Sequence, residues 1–122
     1  MSLSPTQRTL AALRDRGCMA AIVEKWNQFA GPHGIRQDLF GFIDVLCIEP
    51  GEKGCLGVQA CGSSFSEHLT KITETRAEEC LKWLAAGNRV ELWGWRKVKV
   101  KRGGKAMVWK PRVRFITEGD CR

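Results

Sequence analysis

Two oxygen-bearing side chains, Asp44 and Gln59, lie inside apolar runs of the sequence, at residues 42–48 and 55–61. A buried carboxylate is costly unless it is paired or binds a metal. Side chains of a strand alternate between its two faces, so Asp44 and Gln59 can point to the same side if the two runs pair as strands. Oxygen ligands from adjacent strands suit a hard cation such as Mg²⁺.

The segment between the two runs, Glu-Pro-Gly-Glu-Lys-Gly at 49–54, is rich in turn formers and predicts a hairpin. An alternative remains open for both polar residues. Asp44 then caps a loop or pairs with an arginine, and Gln59 is an ordinary hydrogen-bonded side chain. The two residues alone do not decide between a metal site and this structural role.

A chain of 122 residues is expected to form one domain, 1–122, with a core of its own. No run of 18 apolar residues predicts a membrane span, and the first eight residues lack an apolar signal region. We therefore expect a protein of a reducing cytoplasm, without a membrane partner. Its six cysteines are then reduced and mostly buried, and their spacing favours neither zinc nor a disulfide framework.

The net charge of +7 is concentrated at one end of the chain. Residues 89–122 carry eleven Lys/Arg and three Asp/Glu, whereas the first 88 residues carry nine and ten. Such asymmetry is typical of a protein with a polyanionic partner, nucleic acid first. The alternative is a solvated basic face that keeps the protein soluble.

The patterns predict alternating helices and strands in one chain. A helix begins at the capping sequence Ser4-Pro5-Thr6-Gln7 and ends near Gly17. Strands are predicted at 18–29, 42–48 and 55–61, followed by a helix at 67–86, a strand at 90–95 and a basic hairpin from 97 to 116.

The order of elements over residues 4–97, with Asp44 on one strand and Val58-Gln59-Ala60-Cys61 on the next, resembles the restriction-endonuclease-like fold of the PD-(D/E)XK nucleases. Residues 36–44 and Gly-Trp-Arg-Lys at 94–97 are similar to the small nuclease-like proteins of phages and mobile elements, among them VRR-type and Holliday-junction-resolvase-like nucleases. The resemblance implies an α/β fold with an α-β-β-β-α-β core, a central mixed sheet flanked by helices, and a basic C-terminal hairpin at about 96–116.

The motif departs from that family at one position. Its lysine should stand at position 61, where this chain has Cys61. In some branches the lysine moves to the following helix, and Lys71 is the natural substitute here. Glu24 corresponds to an upstream acidic residue of the family, with an exposed strand carboxylate as the alternative. For Asp38 we favour a structural salt bridge with Arg36.

The resemblance implies a metal-dependent endonuclease that hydrolyses phosphodiester bonds, in DNA more than RNA, in a bacterial or phage-infected cell. Asp44, Gln59, Lys71 and Glu24 would be catalytic, and Mg²⁺ or Mn²⁺ would be held by Asp44, Gln59 and the carbonyl of Ala60. Nucleic-acid contact is assigned to Arg36, Arg96, Lys97, Lys99, Lys101 and Arg102.

Two other functions remain open. One is a nuclease-fold protein that binds nucleic acid without cutting, for which the missing lysine is the main support. The other is a small regulator whose basic face binds an acidic protein. Resolvase-like relatives are often dimers that cut two strands, so a homodimer is also an expectation.

Overall fold

The computed structural model describes residues 3–122, so Met1 and Ser2 of the predicted domain lie outside the described residues. Its elements are α1 (Pro5–Asp15), β1 (Met19–Ile22), β2 (Lys25–Asn27), β3 (Ile35–Gln37), β4 (Val45–Ile48), β5 (Leu56–Cys61), α2 (Phe65–Thr70), a π-helical turn (Lys71–Thr75), α3 (Ala77–Ala85), β6 (Arg89–Lys99), β7 (Met107–Ile116) and a 3₁₀ turn (Glu118–Asp120).

Five strands form one mixed sheet in the order β1-β4-β5-β6-β7. Neighbouring strands are antiparallel except β5 and β6, which are parallel and are joined through α2 and α3. Residues of α1 pack with one set of buried strand residues, and those of α2 and α3 pack with the alternate set. The predicted α/β class, with a mixed sheet flanked by helices, is confirmed. Within residues 3–122, no helix is long and apolar enough to cross a membrane.

The predicted start of α1 is confirmed. The Ser4 hydroxyl accepts a hydrogen bond from the Gln7 backbone N–H, and the Gln7 side chain accepts one from the Ser4 N–H, each at 3.2 Å. Pro5 occupies the first turn, where its missing N–H costs nothing.

The predicted strand over 18–29 is wrong as a single element. β1 ends at Ile22, and the chain then leaves the main sheet to pair β2 with β3 in a separate two-stranded sheet. The tight turns between them contain Gly34 with φ 84°, and a side chain at that position would collide with the indole of Trp26. This close approach packs Trp26 of β2 against the turn before β3, a contact that the periodicity of residues 18–29 does not predict.

The second predicted strand begins at Val45 rather than at residue 42. Phe40 and Gly41 have φ values of 55° and 82°, and they form a tight turn that reverses the chain. Across this turn the Leu39 and Ile43 backbones exchange hydrogen bonds of 2.9 and 3.0 Å. A positive φ at phenylalanine is uncommon, and sequence patterns do not predict it.

The helix predicted at 67–86 is interrupted. Between α2 and α3 the chain makes a π-helical turn, in which the Arg76 N–H donates to the Lys71 carbonyl at 2.7 Å. The Thr73 hydroxyl donates to the Leu69 carbonyl at 2.8 Å. Side-chain hydrogen bonds of this kind compete with regular helix geometry. π-Helical turns of this kind are frequent at functional sites.

The basic hairpin is longer than predicted and belongs to the main sheet. β6 runs without interruption from Arg89 to Lys99 and pairs with β7 from Val90 onward. The last residue of β5, Cys61, pairs with Gly94. β6 and β7 therefore continue as a two-stranded ribbon beyond the end of β5, and we call residues 95–111 the ribbon.

Two glycines of the β4–β5 turn, Gly51 and Gly54, allow a matched test of how this turn packs against the turn at Gly87. Gly54 and Gly51 have φ values of 73° and 79°, but only at Gly54 would an added Cβ collide with the carbonyl oxygen of Gly87. We expect Gly51→Ala to lower the free energy of unfolding by about 1 kcal/mol, the cost of a left-handed conformation. Gly54→Ala should cost clearly more, as measured by urea denaturation. Equal losses would contradict the close packing.

Candidate metal centre

Asp44 is held by backbone pairing on both sides of its own segment, directly before β4. Its N–H donates to the Val58 carbonyl at 2.9 Å, and its carbonyl accepts from the Val23 N–H at 2.8 Å. The peptide group is therefore fixed as firmly as in a strand. Its side chain is buried, with Asp44 only 3% exposed.

The Asp44 carboxylate accepts two hydrogen bonds at one oxygen. The backbone N–H of Ala60 donates to Oδ2 at 2.9 Å, and Nε2 of Gln59 donates to the same atom at 2.5 Å. The predicted convergence of Asp44 and Gln59 across the β4–β5 hairpin is confirmed. The role of the Ala60 carbonyl as a metal ligand stays a prediction, since the contact seen here is made by its N–H.

Asp38 joins the same site, brought there by the turn at Phe40 and Gly41. Its Oδ2 accepts from Nζ of Lys71 at 2.5 Å and from Nε2 of Gln59 at 3.3 Å. The predicted salt bridge between Asp38 and Arg36 is wrong. The turn directs Asp38 inward toward the π-helical segment, 33 residues further along the chain.

The partner of Arg36 is Glu24, at 3.5 Å. Glu24 lies between β1 and β2, where the chain leaves the main sheet. One carboxylate oxygen from each of Glu24, Asp38 and Asp44 lies within 4.8 Å of the other two. We call these three residues the acidic cluster. The sequence placed Glu24 and Asp44 at the site but assigned Asp38 to a structural salt bridge, because nothing local to Asp38 signals the turn that follows it.

Gln59 leaves one polar atom without a partner. The residue is 1% exposed, and its Oε1 makes no hydrogen bond with any described residue. Its Nε2 faces the carboxylates of the acidic cluster. Rotation of the amide by half a turn exchanges the two atoms and would present Oε1 to a cation held by the carboxylates.

The carboxylates of the acidic cluster titrate unequally. Burial raises the pKa of Asp44 to about 8, reinforced by the hydrogen bond and the charge of Asp38 and only partly opposed by the Ala60 N–H. For Asp38, burial acts to raise the pKa, but the hydrogen bonds from Asp44 and Lys71 outweigh it and hold the pKa below the ordinary value. Near neutral pH the pair therefore shares one proton, placed on Asp44.

Cys61 occupies the position at which the motif of the PD-(D/E)XK nucleases, which the sequence resembles, would have a lysine. By strand alternation it lies on the same face as Gln59, among the buried residues that pack with α2 and α3. Burial, reinforced by the charge of Asp44, raises the pKa of its thiol, so it stays neutral. An ammonium group does lie at this site, that of Lys71, whose Nζ is 2.5 Å from Oδ2 of Asp38. A cavity of about 650 Å³ is lined by Asp38 and Lys71 and therefore borders one side of the site.

The predicted basic residues divide between the two faces of the sheet. Gln59 pairs with Leu92, and Arg96 lies on the face of Leu92 by alternation. Lys97 and Lys99 lie on the opposite face, toward α1, and Lys101 and Arg102 lie beyond the end of β6. Sequence reasoning missed the basic residues that β7 adds to the face of the site, namely Lys110, Arg112 and Arg114.

The raised pKa of Asp44 predicts an unusual dependence of stability on pH. The folded state keeps a proton that the unfolded state loses above its ordinary pKa of 3.8. The free energy of unfolding should therefore fall as pH rises from about 4 to about 8, by up to about 1.4 kcal/mol per pH unit. The lowered pKa of Asp38 acts only below this window.

The variant Asp44→Asn should flatten this slope and be more stable than the wild type at pH 8, because the amide needs no proton. Urea denaturation across the pH range measures the effect. Asp15→Asn, an exposed carboxylate of α1, is the control and should keep the wild-type slope. The same slope in all three proteins would contradict the assignment of the proton to Asp44.

In comparisons with known proteins, no family model matches the chain, and no curated protein or solved structure matches it.

Proposed function

We propose that the protein is a metal-dependent nuclease that hydrolyses phosphodiester bonds in DNA, with the acidic cluster and Gln59 as its active site. One observation carries the proposal. Three carboxylate oxygens lie within 4.8 Å of one another, and the buried amide of Gln59 touches two of these carboxylates through Nε2 while its Oε1 has no hydrogen-bond partner in the described chain. A half-turn of this amide would turn Oε1 toward the carboxylates. Such a set of hard oxygen donors fits Mg²⁺ or Mn²⁺.

The topology supports a restriction-endonuclease-like core. A helix precedes three strands that are successively antiparallel, β1, β4 and β5, and a helical segment then leads to β6, which is parallel to β5. This is the α-β-β-β-α-β order that the sequence resemblance implies, with the β2–β3 hairpin as an insertion. Asp44 and Gln59 stand on the second and third of these core strands or directly beside them.

The metal would be held by Asp44 and Asp38, with Glu24 and the Oε1 of Gln59 completing the oxygen set. When bound there, a divalent cation would supply a water of lowered pKa and a charge that polarises the phosphate. Two side chains of this protein would assist the reaction. Asp44 would release its proton on metal binding, and the half-buried Lys71 would place a positive charge where charge develops on the phosphate.

A second candidate is a protein that binds nucleic acid without cutting it. The buried neutral thiol of Cys61, at the motif's lysine position, favours this function. The two candidates differ in the role of Lys71, which is a catalytic group in the first and only an ion-pair partner of Asp38 in the second.

Cleavage of plasmid, single-stranded and branched DNA tests the proposal. We expect cleavage with Mg²⁺ or Mn²⁺, none with EDTA, and at least a hundredfold loss in Asp44→Asn, since a lost ligand of a catalytic metal removes several kcal/mol of transition-state stabilisation. Lys71→Ala should cost roughly tenfold to a thousandfold, and Asp15→Asn should cleave as the wild type does. Metal-independent cleavage, or full activity in Asp44→Asn, would contradict the proposal.

The variant Gln59→Glu tests the metal site without any nucleic acid. A fourth carboxylate adds a negative charge to the acidic cluster, so Mn²⁺ affinity should rise by roughly tenfold or more. The same charge should lower the stability of the metal-free protein. Calorimetric titration with Mn²⁺ measures the affinity, and Gln28→Glu, outside the cluster, is the matched control. Unchanged Mn²⁺ affinity in Gln59→Glu would place the metal elsewhere.

A further inference from the structure

A second concave surface lies where β5 ends and the ribbon continues past it. This groove has a volume of about 560 Å³, and it is walled by the start of α1, the turn at Gly62 and Ser63, and the ribbon. We call it the ribbon groove, and its lining side chains include Arg8, Phe65, Arg96, Lys97, Trp109 and Arg112.

The ribbon groove is positively charged, and no acidic side chain lining it neutralises this charge. Four of its lining residues are cations, and no aspartate or glutamate lines it. None of the four forms an ion pair with a residue of the described chain. Elsewhere the basic residues of the same strands do find carboxylates, as Arg114 does with Asp120 at 3.0 Å.

One wall of the groove is a stack of three residues that fixes a guanidinium group. Gly94 has no side chain, and a Cβ there would lie only 2.5 Å from the ring of Phe65. Phe65 can therefore lie directly on β6. Arg112, the partner of Gly94 on β7, places its guanidinium 4.0 Å from the centre of the Phe65 ring. The cation is held by the ring, and its N–H edges remain free for a ligand.

The other wall repeats this arrangement on the α1 face. The Trp95 indole N–H donates to the Thr9 hydroxyl at 2.9 Å and ties α1 to β6. The neighbouring Arg8 then lies over the Trp109 ring at 4.1 Å, with the Lys97 ammonium 5.4 Å from the same ring. Trp109 is still 36% exposed, so part of the indole remains open to a ligand.

We propose that the ribbon groove binds an unpaired strand of nucleic acid. This inference rests on the proposed function, because it specifies the form of nucleic acid that reaches the acidic cluster. Arg8, Arg96, Lys97 and Arg112 would contact phosphates, and the exposed part of Trp109 would stack with a base. Aromatic faces between cations suit a single strand, because its bases are accessible, whereas those of a duplex are already stacked.

The position of the groove fits this assignment. Gly62 of the groove follows Gln59 by three residues, a distance of roughly 10 Å at the rise of an extended chain. Asp44, directly before β4, stands at the same end of the sheet because β4 and β5 are antiparallel. A strand lying in the groove therefore passes close to the proposed metal site.

The test is binding of a labelled oligothymidylate to the full chain in EDTA, measured by fluorescence anisotropy over a range of salt concentrations. The single strand should bind more tightly than the same strand in a duplex. Arg96→Gln and Arg112→Gln should each weaken binding about fivefold at about 0.1 M salt and reduce the salt slope by about 0.7. Trp109→Ala should weaken it roughly tenfold, while Trp109→Phe should keep most of the affinity.

Lys53→Gln and Lys82→Gln remove the same charge outside the groove and should bind as the wild type does. Groove variants that match these controls, or a duplex bound at least as tightly as the single strand, would overturn the inference. Because binding is measured without metal, it is independent of hydrolysis. Weakened binding in the groove variants of a protein that never cleaves would uphold the groove and reject the nuclease. Metal-dependent cleavage unaffected by Arg96→Gln and Arg112→Gln would uphold the nuclease and reject the groove.

Discussion

The burial of the Asp44 carboxylate beside Asp38 is the constraint on which the rest of the site depends. Two carboxylates removed from water repel each other, and each needs donors or a positive charge nearby. The fold provides the Ala60 N–H, the Gln59 amide and the Lys71 ammonium. These donors do not suffice, because the pKa of Asp44 remains near 8. Near neutral pH the proton on Asp44 balances the remaining charge, and a cation bound at the site would take the place of that proton.

The segments that satisfy this constraint are the irregular parts of the fold. Glu24 lies where the chain leaves the main sheet, Asp38 precedes a turn with a positive φ at Phe40, and Lys71 begins a π-helical turn. The regular helices and strands form the core, and the irregular segments provide these three charged residues of the site. Strained or irregular backbone that persists at a cluster of polar groups is characteristic of functional sites.

The sequence predicted the parts of the structure that depend on local pattern. The cap of α1, the β4–β5 hairpin and the meeting of Asp44 with Gln59 follow from capping residues, turn formers and strand alternation. It did not predict the pairing of Asp38 with Lys71, since this contact joins distant segments through a conformation that phenylalanine seldom adopts. Nor did the sequence predict that Lys97 and Lys99 lie on the face away from the site. Alternation shows which residues of a strand share a face, but it does not show which of the two faces contains the site.

The π-helical turn fixes the length of the segment between β5 and β6. A π turn takes up one residue more than an α-helical turn, so α3 begins about 100° further around the axis than an uninterrupted helix would. The segment thus has two helical phases, one that directs Lys71 to the acidic cluster and one that buries Cys80 in the core. A homologous chain one residue shorter here would have a single phase, and it would keep either the lysine at the site or the packing of α3, but not both.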